Sequence, residues 1–390
     1  MTFKKKISLL IGIMLLLIII GATIVNINSR DRKQSVNNGQ EQNQEALQVV
    51  TTFYPMYIIA QNIFDQVEDV TVTNLTDFNV GCAHDYQLTT DNMKLLSSAD
   101  IIIVNGGGLE GFLEDVIDNF PKLQVVDSSE NITMIAYDEM AHNNNWELRD
   151  ENDQDHEDHR HDEENEEEHN HDGHDHGEFN AHIWLDPQIY VKQIQNVRDG
   201  ILNYLKENNI IDGLKAGTSD KLSTRIEENA DDYINTVLEI DNRLNELLLL
   251  SVNNSINETV NDTASSSDID YAYEEEGSLY APSKGVAIFH DSFMYLAKRL
   301  GLKVEYAIEV DSESALRAKD ITNIINLIHE GKIQYLFAEN LYGELVTSRI
   351  QGETDVEIFL MDPIITGDGS KDSYIKAMES NIQLLEKVLQ

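Results

Sequence analysis

The chain has 390 residues, enough for two ordinary domains with a core each and additional segments besides. Its 28 Lys and Arg stand against 70 Asp and Glu, a net charge of -42 that excludes a nucleic-acid backbone as partner, because phosphates would be repelled, and favours cations. One cysteine, Cys82, excludes an intrachain disulfide.

The chain opens MTFKKKISLLIGIMLLLIIIGATIVNINSRDRK. Three lysines precede an apolar run from Ile7 to Val25, about the length that crosses a bilayer as a helix. Residues 1–30 are therefore expected to be a membrane anchor or signal segment, with the lysines cytoplasmic and the rest of the chain on the extracellular face. No A-x-A cleavage pattern follows, which favours an uncleaved anchor over a removed signal. Residues 31–46 are polar and rich in Asn and Gln, as expected of a flexible tether.

From Leu47 the pattern alternates short β-rich runs with longer amphipathic ones. LQVVTTF, DVTVTNL, ADIIIVN and KLQVVD read as strands, with helices beginning near Met56, Thr89 and Leu109. GVAIFH, LKVEYAI, IQYLFAE and VEIFLMD repeat the rhythm, with helices from about Asp291, Ala315, Gly343 and Lys371. Strands separated by helices predict α/β lobes with mostly parallel sheets. The expected lobes are 47–217 and 284–390. Pro187 is suited to begin a helix late in the first lobe, and after it Thr218 to Leu250 has apolar residues at helical spacing and no proline, which predicts one rigid linking helix over 218–250. Residues 150–178 and 251–283 hold too little apolar surface to fold alone and are expected to be disordered insertions.

The first insertion carries His156, His159, His161, His169, His171, His174 and His176 among carboxylates. Imidazoles and carboxylates this close chelate Zn, Cu or Ni in many alternative ways, so the tract reads as accessory metal capture or as a solvated acidic loop whose histidines merely titrate. A selective site needs a preorganised backbone. Three further histidines each fall between a strand and a helix, where α/β folds place ligands: His84 in NVGCAHDYQLTT, His182 in NAHIWLDP before a helix that Pro187 is suited to begin, and His290 at the end of GVAIFH. A lone histidine is more often a core or cap residue, but three at equivalent positions favour ligation. Asp362, ending VEIFLMD, is the expected oxygen donor or else a turn residue before Pro363, with Glu339 as a spare. Cys82 reads as a small buried hydrophobe, and His142 and His329 as surface residues.

With TTFYPMY, AHDYQLTTDNMKLLSSADIIIVNG, HIWLDPQIY, AIFHDSFMYLAKRLGL and DSYIKAMESNIQLLEKVL taken together, the chain from Leu47 to Gln390 resembles the metal-binding solute-binding proteins of bacterial ABC importers, the zinc and manganese group. The resemblance implies two α/β lobes joined by one long rigid helix, with the metal in the cleft. It implies His84 and His182 as ligands from the first lobe, and His290 and Asp362 from the second. It also implies Zn2+ as transported ligand, an ABC permease as partner, and no enzymatic activity. Imidazole donors suit zinc, whereas manganese prefers harder oxygen ligands. Manganese or another divalent ion is the alternative cargo; a metal-dependent surface adhesin or a zinc hydrolase is the alternative class, although no H-E-x-x-H motif is present. The chain departs from the family pattern in having no Cys before position 82 to carry a lipid, in CAHD around the first histidine, and in the insertion at 251–283.

Overall fold

A computed structural model describes residues 46–79, 86–137, 178–210, 222–262, 284–289, 291–308, 318–339 and 343–389. Two four-stranded sheets organise it. In the first, β1 (Leu47–Thr51), β2 (Val70–Asn74), β3 (Ile101–Val104) and β4 (Gln124–Asp127) lie in the order β2-β1-β3-β4, every pair parallel. In the second, β5 (Gly285–Phe289), β6 (Lys303–Ile308), β7 (Tyr335–Glu339) and β8 (Glu357–Met361) repeat that order as β6-β5-β7-β8, again all parallel. Parallel neighbours require crossovers, and helices supply them. In the first lobe these are α1 (Tyr54–Ile63), α2 (Thr90–Ser98) and α3 (Gly111–Ile117). In the second they are α6 (Met294–Arg299), α7 (Ala318–His329) and α8 (Gly343–Glu353), with α9 (Ser373–Leu389) closing the chain.

Side-chain alternation decides which way each sheet faces. Val49 joins the main core and Val50 the opposite layer; Val286 and Ile288 join the main core while Ala287 and Phe289 turn the other way. The central strands are therefore apolar on both faces, as IIIV in β3 and GVAIF in β5 require. α7 and α8 cover the outer face of the second sheet, and α2 and α3 that of the first. The main core runs without a break between the two sheets through α1, α6, α9 and two helices that lie between the lobes in the sequence.

Those two are α4 (Pro187–Glu207) and α5 (Leu222–Asp262). Asp186 caps α4 by accepting from Gln188 N at 2.8 Å, and Pro187 occupies the first turn, where its missing N–H costs nothing. α4 begins at Pro187, the residue expected to open a helix there. α5 has 41 residues, about 60 Å at 1.5 Å per residue. It buries a stripe including Ile226, Ala230, Tyr233, Val237, Ile240, Leu244 and Leu247, the three-to-four spacing of one helix face. Residues 251–262, expected at the start of a disordered insertion over 251–283, continue the helix. The sequence from Leu222 to Asp262 has no Pro or Gly to stop propagation, and extending an existing helix costs far less than starting one. Residues 211–221 and 263–283 lie outside the described residues.

The expected anchor at 1–30 and the tether up to residue 45 lie outside the described residues, as does the tract from 138 to 177. Among the described residues no helix is long and apolar enough to cross a membrane. The stems of the tract are described, and they pair. Ala136 bridges Phe179 antiparallel, Tyr137 N donates to Glu178 O at 3.2 Å, and Asn180 N donates to Ile135 O at 2.9 Å. Glu178, expected in the disordered segment, is thus held by a backbone hydrogen bond.

Candidate metal centre

In each sheet the strand order reverses beside the first strand of its lobe, so the crevice at the carboxyl ends lies between β1 and β3 in the first sheet and between β5 and β7 in the second. A buried carboxylate closes the first crevice. Glu110 accepts from Thr52 Oγ1 (2.7 Å) just past β1, and from Asn105 N (2.7 Å) and Gly106 N (3.0 Å) just past β3. Burial is the largest influence on its carboxyl and raises it to about 7 despite those three donors. Gly106 turns at φ +82°, and a Cβ there would sit 2.1 Å from Asp127 Oδ1, so the turn admits only glycine. Asn105 carries the network onward. Its amide donates to Ala181 O at 2.9 Å, and Gln193 donates to its Oδ1 at 3.0 Å and to Ser128 Oγ at 2.8 Å.

His182 follows Ala181 and is 2% exposed. The chain enters a 3-10 turn, Ile183–Leu185, immediately after it, which fixes its backbone between the stem at Phe179 and the cap at Asp186. Its ring is oriented on one side by oxygens. Asn180 Oδ1 accepts from His182 N at 2.9 Å and lies 3.2 Å from Nδ1, and Asp291 Oδ1 lies 3.5 Å from Nδ1. The Asn180 amide is assigned by its other end, whose Nδ2 donates to Asp291 O at 2.9 Å. Asn180 Oδ1 and Asp291 Oδ1 are both acceptors, which favours a proton on Nδ1 and, in the neutral ring, leaves the basic lone pair on Nε2. That is the state in which imidazole ligates a metal.

Asp291 comes from the other lobe, opening the 3-10 turn Asp291–Phe293 directly after the position of His290. Tyr137 donates to its Oδ2 at 2.5 Å. Tyr295 completes the junction, donating to Asn180 O (2.8 Å) and accepting from Ile135 N (2.9 Å). Ser292 donates to Glu339 Oε1 at 2.9 Å, and Glu339, 1% exposed, ends β7 at the second crevice. His182, Asp291, Ser292 and Glu339 thus form a continuous polar line from the first lobe to the second sheet.

Asp362 is built into a turn. Its Oδ1 accepts from Ile364 N at 2.8 Å, while Asn381 grips its backbone N and O at 2.9 and 2.8 Å. Ile364 stands at φ +61°, a left-handed conformation costly for a β-branched residue and here tied down by the Asp362 hydrogen bond. Burial pushes the Asp362 carboxyl up, more than the Ile364 bond pulls it down. Trp184 links this turn to the His182 loop, its Nε1 donating to Pro363 O at 2.9 Å while Tyr374 donates to Trp184 O at 3.0 Å.

Of the residues expected to form the site, His182 and Asp362 are described and share this Trp184 connection. His84, His290, Cys82, His142 and the seven tract histidines lie outside the described residues. From residue 86 onward the chain is described: Thr89 and Asn92 cap α2 reciprocally, and Tyr86 donates to Asn92 Oδ1 at 3.0 Å. His329 is exposed at the end of α7, as its sequence context suggests. Among the described residues no three His, Cys, Asp or Glu side chains gather closely enough to hold a metal ion. Sequence reasoning missed Asn180, Asp291, Tyr137 and Glu110. The signals were small: Asn180 stands two residues before a candidate ligand, and Asp291 one residue after another.

A family model described as zinc-uptake complex component A, periplasmic (ZnuA), matches residues 49–251 and 261–388. The chain is 23% identical over 392 residues to the zinc-binding lipoprotein AdcA of Streptococcus pneumoniae, an alignment covering 98% of this chain and 61% of that protein. It therefore spans about three fifths of that relative's length. It is 21% identical to the iron-binding protein YfeA of Yersinia pestis, over 90% of this chain and 88% of that one. The fold matches the crystal structure of Zn(II)-bound AdcA from Streptococcus pneumoniae with a TM-score of 0.59, at 17% identity, over 88% of this chain and 57% of that chain.

Proposed function

The chain belongs to the ZnuA family of zinc-uptake components, and from that premise we propose that it captures Zn2+ outside the cell and delivers it to the membrane subunit of an ABC importer. The ion is cargo, and the protein is not an enzyme. The ligands are His84 and His182 from the first lobe and His290 and Asp362 from the second, three nitrogens and one oxygen as suits four-coordinate zinc. Glu339 is the alternative oxygen donor, at the crevice beside β5. The observation that carries the reading is His182, buried with acceptors on its Nδ1 side so that Nε2 is the ligating nitrogen. The histidines of 156–176 serve as an accessory capture segment, and its paired stems at Ala136 and Phe179 lie next to Asn180, which supports that role. The apolar run at Ile7–Val25 tethers the protein to the extracellular face of the membrane.

The test is a calorimetric titration of the full chain with zinc against a competing chelator, on the wild type and on a variant lacking residues 150–178. One tight site surviving the deletion, with weaker sites lost, is the expected result. Loss of the tight site with the tract would sink the cleft as receptor. The iron-binding relative keeps another divalent ion as the second reading, which the same titration with Mn2+ and Fe2+ decides.

A further inference from the structure

Asp291 belongs to no proposed ligand set, yet it is buried, 8% exposed, and described groups of the first lobe hold it at both its carboxylate and its main chain. Tyr137 fixes Oδ2 at 2.5 Å, Asn180 fixes the main-chain carbonyl at 2.9 Å, and Oδ1 is left facing His182 Nδ1 at 3.5 Å. Tyr137 and Asn180 are themselves anchored by the bridge at Ala136 and Phe179 and by Tyr295. Resting on the reading of His182 as a zinc ligand, we infer that Asp291 is a positioning residue for metal binding: a carboxylate of the second lobe orients, and makes more basic, a nitrogen donor contributed by the first.

The physical reasons are two. A carboxylate beyond Nδ1–H stabilises the positive charge that the ring acquires when Nε2 donates to a cation, and so strengthens the metal bond. It also selects the Nδ1–H tautomer, jointly with Asn180 Oδ1, so that no proton has to move before Nε2 can ligate. Because the carboxylate and the imidazole lie in different lobes, this strengthening depends on the two lobes being in contact at this junction. Metal held by His182 thereby favours the closed arrangement, and separation of the lobes weakens the donor.

The test is a double-mutant cycle on the full-length chain, reading zinc affinity by chelator competition. Asp291→Asn is expected to weaken tight binding about ten- to hundredfold. In a His182→Ala background the same change is expected to add nothing, because Asp291 acts through His182; a residue with a merely structural role would give the same loss in both backgrounds, and that result overturns the inference. Unchanged affinity in Asp291→Asn with binding lost in His182→Ala overturns it while leaving the ligand reading standing. Unchanged affinity in His182→Ala overturns both. Nitrogen-15 spectra of the metal-free wild type, with the His182 signals identified by their absence in His182→Ala, give a reading that does not depend on how Asp291→Asn folds. The Nδ1–H tautomer is expected, and an Nε2–H tautomer overturns the inference.

Discussion

Glu110 carries a strongly raised carboxyl, and its effect on stability has a definite sign. Its carboxyl moves from 4.5 to about 7, mainly through burial. Between those values the folded chain holds a proton that the unfolded chain has released, so stability falls as pH rises through the window and levels off above about 7. The full effect is of order 3 kcal/mol at 1.36 kcal/mol per unit. Urea unfolding of wild type and Glu110→Gln between pH 4.5 and 8 is expected to show this slope in the wild type alone; parallel curves would refute it. Legibility at this scale follows locality. The place of His182 just before a helix was legible because NAHIWLDP sets it against a Pro-initiated helix, a pattern contained in eight residues. Asp291 could not, because whether an Asp after a strand caps its own helix or faces a histidine depends on a partner segment 111 residues away at Asn180. Glu110 was hidden for the same reason, since only the reversal of strand order brings Thr52 and Asn105 to one carboxylate.

The eight strands were legible because β-branched runs bounded by turn residues have few other outcomes, and their parallel pairing followed from the helices between them. The shared order, with the later strands added on one side only, is a packing choice that the pattern does not contain. Helix α5 shows the opposite limit: its apolar stripe was visible, but the Asn- and Ser-containing residues after Leu250 look unfit to fold alone, and they are helical because they extend a helix already packed. That packing has a polar fulcrum. Asp241 on α5 is 4% exposed and accepts from Arg299 of the second lobe at 2.6 and 3.1 Å and from Gln188 of α4 at 3.0 Å. Arg299→Ala leaves that carboxylate buried without its cation, for a loss of about 3–5 kcal/mol in chemical unfolding. Pairing Arg299→Met with Asp241→Leu should restore most of it, since a buried ion pair replaced by apolar groups of similar size is often neutral. Equal losses in the single and double variants would show that the ions themselves stabilise the junction.

At the scale of the molecule, the two lobes share one uninterrupted core along α4, α5 and α9, and polar ties join the His182 loop to the Asp362 turn through Trp184 and to Asp291 through Tyr137 and Asn180. Lobe contact and the candidate centre are consequently built from the same residues. A ligand that draws donors from both lobes should then stabilise the whole unit and not one half of it. With zinc at a hundred times its dissociation constant, linkage predicts a gain of about 2.7 kcal/mol in unfolding free energy, expressed as a single transition moved upward. Because imidazole must lose its proton to ligate, the gain should shrink as pH falls below about 6.5, while the Glu110 contribution moves the metal-free protein the other way. Scanning calorimetry with and without zinc at pH 5.5 and 7.5 separates the two: the zinc-dependent increment is expected to be larger at pH 7.5, and the metal-free transition to be higher at pH 5.5. A zinc increment that is equal at both values would mean that carboxylates, and not His182 and its companions, hold the ion. Two transitions of which only one moves would mean that the metal is bound by a single lobe.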